Sequence, residues 1–189
     1  MTRAAAATSL VVFAISAASA VVALAQTPPE TFTATASVKG ASVQATADVR
    51  VQVDRYGTED QRAALIKAVR SGDPATVTKA LASLPDAGYI ELGERRTPIK
   101  FAGLRETPDG QLITVVTATP LVFLGAGLPA AKPTSGFDVA VAILEVKKGD
   151  SGMGELAPAA KVGVDKGGAL VIQDYGKTVV VLNRVARGK

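Results

Sequence analysis

The chain has 189 residues, with 21 lysines and arginines against 17 acidic side chains, and contains no histidine, cysteine or tryptophan. That composition excludes disulfides, thiolate nucleophiles, imidazole acid–base catalysis and Cys/His zinc or iron–sulfur centres. It also excludes a Ser-His-Asp triad, while carboxylate-pair and Ser–Lys chemistry stay open.

The N-terminal segment reads as a targeting signal. Arg3 is followed by an uncharged, alanine-rich run through Leu10, Val11, Val12, Phe13, Ile15, Val21 and Val22. The run closes on Ala23-Leu24-Ala25, the small-x-small pattern of a cleavage site. The expected organisation is a signal peptide over residues 1–25 and one domain over 26–189. A cut after Ala20 and retention as an anchor are the alternatives. Cleavage implies a periplasmic or secreted protein with no stable membrane span. An exported chain of this length without cysteines is expected to be bacterial and to rely on its core. The mild basic excess keeps such a chain soluble but predicts no nucleic-acid partner.

From Thr31 the chain alternates. Val43, Ala45, Ala47, Val49, Val51 and Val53 share one face, and Ser42, Gln44, Thr46, Asp48, Arg50 and Gln52 share the other. Period two over this length predicts a long strand with one dry and one wet face. An earlier strand is expected over Phe32–Val38, with a bend at Gly40. Thr58-Glu59-Asp60-Gln61 then forms a capping box, and Leu65, Ala68 and Val69 recur at helical spacing. Gly72 ends this helix. Asp73-Pro74 starts a second with aspartate as N-cap and proline at the first helical position. Val77, Ala80, Leu81 and Leu84 form its apolar face, and Pro85 stops it.

Beyond Gly88 the pattern predicts short strands at Tyr89–Leu92, Ile99–Leu104, Leu112–Thr119, Phe137–Val146, Ala169–Gln173 and Thr178–Val185. Pro108-Asp109-Gly110 and Asp174-Tyr175-Gly176-Lys177 read as turns between strands. Residues 124–133 and 149–154 read as loops. The expected fold class is α+β, a helical hairpin packed on one face of a mostly antiparallel sheet.

Chemistry-bearing motifs are sparse. Gly125-Ala126-Gly127 follows an apolar run, but the nearby prolines argue against the helix that a dinucleotide site needs. Gly149-Asp150-Ser151-Gly152 has no histidine to activate its serine, and the spacing of Asp150 and Glu155 is not that of a calcium loop. Glu91, Asp138 and Glu145 fall on predicted strands, where the sequence does not pair them. Basic residues gather at Arg95-Arg96 and at Lys147-Lys148, without the aromatic platforms of a nucleic-acid groove.

No catalytic, cofactor or metal residues are therefore assigned. The leading expectation is a non-enzymatic binding or structural module for an unidentified envelope protein or surface polymer. Arg95, Arg96, Lys147, Lys148, Asp150 and Glu155 are its candidate contacts. The alternatives are a small-ligand carrier or sensor, with an apolar ligand between helices and sheet, and a hydrolase that uses neither cysteine nor histidine.

Overall fold

The computed structural model describes residues 29–39, 44–121, 136–149, 151–164, 170–174 and 180–188. The expected signal peptide, the bend at Gly40, the Gly125-Ala126-Gly127 segment and the Asp174–Lys177 turn lie wholly or mostly outside them.

The first two strands, β1 (Glu30–Lys39) and β2 (Gln44–Val53), pair antiparallel along their whole length, from Glu30 opposite Val53 to Lys39 opposite Gln44. Two helices follow, α1 (Glu59–Arg70) and α2 (Pro74–Ser83). The remaining strands are β3 (Gly88–Leu92), β4 (Arg95–Thr107), β5 (Gly110–Thr117), β6 (Val139–Lys147), β7 (Gly152–Val164), β8 (Leu170–Asp174) and β9 (Val180–Arg187). Every pairing is antiparallel. The order runs β6-β5-β4-β3-β2-β1-β9-β7-β8, and β6 also pairs with β7. That last pairing closes eight strands into a barrel. β8 stands outside the ring, paired to the second half of β7. The architecture is the expected α+β one, with the sheet closed on itself.

Alternation places the core inside the barrel. Phe32, Ala34 and Ala36 of β1 meet Val49, Val51 and Val53 of β2, and Ile90, Ile99, Ile113, Leu144, Leu156 and Leu182 complete the filling. An eight-stranded barrel is just wide enough to be filled by side chains or to hold one small ligand. Here side chains occupy it. At one end Tyr56 donates to Glu30, Glu30 pairs with Arg187 at 3.1 Å, and Arg187 donates to Gln111. This polar chain reaches from β1 and β9 to β5 on the far side of the ring.

The helices lie on the outer wall. Ala68, Val69, Val77 and Leu81 pack against Val139, Val141 and Ala160, the faces of β6 and β7 that point away from the barrel interior. Both caps form as the sequence predicts. The Thr58 hydroxyl accepts from the Gln61 amide while Gln61 Oε1 accepts from the Thr58 amide, and Asp73 accepts from the amides of Ala75 and Thr76. Lys100 secures the chain after α2 through Asp86 at 2.7 Å and the Leu84 carbonyl.

β7 departs from expectation. The sequence predicts a loop over 149–154 and no strand between there and Ala169, yet a 13-residue strand begins at Gly152. Glycines and alanines give β7 little apolar contrast, which hides its alternation. The glycine at 152 is required by close approach: a Cβ there would sit 1.6 Å from the Glu145 carbonyl oxygen of β6. Pro158 is accommodated where the β6–β7 register shifts, the kind of irregularity at which a sheet tolerates proline.

Candidate functional site

The expected contact residues fall at separate places. Arg95 and Arg96 open β4, beside the turn from β3. Arg96 binds the Glu91 carboxylate through Nε, and its guanidinium lies 4.4 Å from the centre of the Tyr89 ring. The Glu91 carboxylate holds the Arg96 guanidinium above its ordinary pKa. Arg95 is exposed. Lys147 ends β6 opposite Gly110, near the other end of β4. It stands 4.0 Å from Glu145 on the same strand, and Lys148 follows it, exposed. Glu155 is an exposed β7 residue opposite Ile143 on one side and Val181 on the other. Asp150 lies outside the described residues. The two basic groups thus sit at opposite ends of β4, about 40 Å of extended chain apart.

The carboxylates weighed as catalytic do not converge. Glu91 is paired with Arg96 on β3, Glu145 stands by Lys147 on β6, and Asp138 accepts from the Gly136 amide. Among the described residues no group of three or more acidic side chains is placed to hold a metal ion. On α2 the Thr76 hydroxyl is committed as well, donating to Asp73 within the helix cap.

A different set of residues lines a groove of about 440 Å³ on the outer wall of β9, β1, β2 and β3. That volume lies within the range of small-molecule sites. Barrel alternation builds it. Because Ala34 and Val49 point inward, Thr33, Thr35, Asp48 and Arg50 must point out. Cross-strand register sets Thr35 opposite Asp48, and Thr33 and Glu91 on the two sides of Arg50. Arg184 reaches in from β9 and donates through Nη2 to Thr35 Oγ1 at 3.0 Å.

Arg184 is the conformational exception in the strands. It has φ 53, and among the described residues it is the one non-glycine residue with positive φ. The cause is a bulge: between Thr33 and Thr35 the β1–β9 register shifts, so β9 carries one residue more than its partner. A left-handed conformation is unfavourable for any side chain with a Cβ, and glycine is the usual occupant of such a bulge. Arginine holds the position instead, and the bend turns its guanidinium onto the groove.

The groove is unevenly committed. Arg96 compensates Glu91. Neither Asp48 nor Arg50 has a side-chain hydrogen bond or ion pair to another described residue, while Arg184 spends one donor on Thr35. Two cations and one anion therefore face solvent across the β1 hydroxyls. The alternation of β2 already places Asp48 and Arg50 on a wet face. The closure that sets β9 beside β1 has no local signal, and so Arg184 escapes a reading of the sequence.

The outer wall bears on the membrane question. No helix among the described residues is long and apolar enough to cross a bilayer. The strands carry hydroxyls and charges outward on β1–β3 and apolar side chains inward. A membrane-spanning barrel has the opposite polarity. No protein-family model, curated protein or solved structure matches the chain.

Proposed function

We propose that this protein is a non-enzymatic small-ligand binder, a carrier or sensor, and that its ligand docks in the outer-wall groove. The observation that carries this reading is Arg184, an arginine held left-handed at a bulge so that it faces the uncommitted Asp48 and Arg50. Strain of this kind, of order 1–3 kcal/mol per residue, persists where the surrounding structure enforces it and gathers at binding sites. The filled barrel and the packed interface between helices and wall leave the groove as the better place for a ligand than the helix–sheet seam. The expected leader would put this site in the cell envelope or the medium.

The test is native mass spectrometry after incubation with a low-molecular-mass extract of host cells. The wild type is expected to retain a non-covalent mass of small-molecule size, and a double variant, Asp48→Asn with Arg50→Gln, to lose it. A bare protein under conditions that preserve its fold would reject the proposal.

A further inference from the structure

We infer that the groove selects a small acidic zwitterion: a molecule with one ammonium and two carboxylates, such as a short acidic peptide. This specificity rests on the ligand-binding reading above and gives it a chemistry.

Charge and spacing set the selection. The groove is a grid of two rows, with neighbouring strands about 4.8 Å apart and successive outward residues about 6.6 Å apart along a strand. The first row runs from Thr35 to Asp48, with Arg184 joined to it from the bulge beside Asn183 through its bond to Thr35. The second runs Thr33, Arg50, Glu91. Arg184 and Arg50 stand on the strands flanking β1, Arg184 beside Thr35 and Arg50 beside Thr33, so two carboxylates laid over these hydroxyls each meet one guanidinium group and one hydroxyl donor. Arginine presents forked donors that match a carboxylate in two-point fashion. Asp48, the next outward residue along β2 from Arg50, is the complementary acceptor for an ammonium.

Glu91 does not add a second cation site, because Arg96 binds its carboxylate and lies over Tyr89. What remains is two positive groups against one negative. A monoanion would leave Asp48 unanswered, and a simple amino acid with one carboxylate would leave one arginine unanswered. Two carboxylates and one ammonium satisfy all three. Arg96 thereby acquires a role at the rim, where it offsets the Glu91 charge that would compete with the ligand.

The experiment is titration calorimetry on the full chain with three probes. The dipeptide Ala-Glu carries all three charges, N-acetyl-Ala-Glu lacks the ammonium, and Ala-Gln lacks one carboxylate. Ala-Glu is expected to bind at least tenfold tighter than either control. Asp48→Asn should abolish the preference for the free ammonium. Arg184→Gly should weaken Ala-Glu without lowering the melting temperature, since glycine adopts φ 53 without strain. Equal affinities, or no binding of any probe while a host-extract ligand is retained, would overturn the zwitterion assignment and leave ligand binding standing. Unchanged affinity in a folded Arg184→Gly protein would likewise overturn it, because the arginine would then serve the bulge alone. Loss of the host-extract ligand as well would remove the underlying function.

Discussion

Tyr56 shows how a single side chain reports on the barrel end. Its hydroxyl is half-buried and donates to Glu30, which also pairs with Arg187. Burial first, then the bond and the negative charge of Glu30, push its pKa above the ordinary value of 10.0. The folded state therefore holds this proton at a pH where the unfolded chain releases it. The contribution is complete below about pH 10 and declines as pH rises above it, by up to about 1.4 kcal/mol per pH unit. Urea denaturation between pH 9 and pH 11 should show a steeper loss of stability for the wild type than for Tyr56→Phe. Parallel curves would mean that the hydroxyl ionises alike in both states. None of this is legible from the sequence, where Tyr56 stands in a short link between a strand and a helix. Residues whose task is purely local, such as Thr58 and Asp73, are legible, because their partners lie within three positions.

The same contrast holds for elements. The helical hairpin follows from caps and a 3.6-residue apolar period, both confined to a dozen residues, and it forms where expected. Its docking depends on Leu81, which is 1 % exposed and packs against the outer wall. Truncation to alanine should cost about 2–5 kcal/mol, the range for a buried leucine. Thr58→Ala, which removes only the α1 cap, should cost about 1 kcal/mol. Chemical denaturation with both variants distinguishes the two, and an equal small loss would mean that the hairpin contributes little to global stability. β2 is equally legible through strict alternation. β7 is not, because its small residues hide the period and two of its three glycines, Gly152 and Gly154, serve the close approach of β6. A reading by hydrophobic contrast passes over strands built from glycine and alanine.

For the whole molecule the decisive event is closure. β1 and β9 lie near opposite ends of the chain and pair from Phe32–Arg187 to Ser37–Val181, while β6 and β7 complete the ring. Such non-local pairing is expected to fold slowly for its size. It should also grade protection. Amides of β1 and β2, hydrogen-bonded on both sides within the ring, should exchange with solvent at the rate of global unfolding. Those of β8, which among the described residues pairs with β7 alone and exposes Val171 and Ile172, should exchange by local opening. Hydrogen exchange followed by mass spectrometry checks this order, and protection of β8 equal to that of β1 would show that its outer edge is covered.

Periodicity and capping act through neighbours a few residues apart, so the α+β class, the hairpin and the wet face bearing Asp48 and Arg50 were already encoded at short range. Tertiary structure alone decided that the sheet closes, that its interior is filled, and that Arg184 comes to lie beside Thr35, 149 positions away in the chain. The physical reason is that strand partners are chosen by the burial of whole faces. A cross-strand contact between distant segments leaves no mark on the residues flanking either one, and the contact that brings Arg184 to the groove is of this kind.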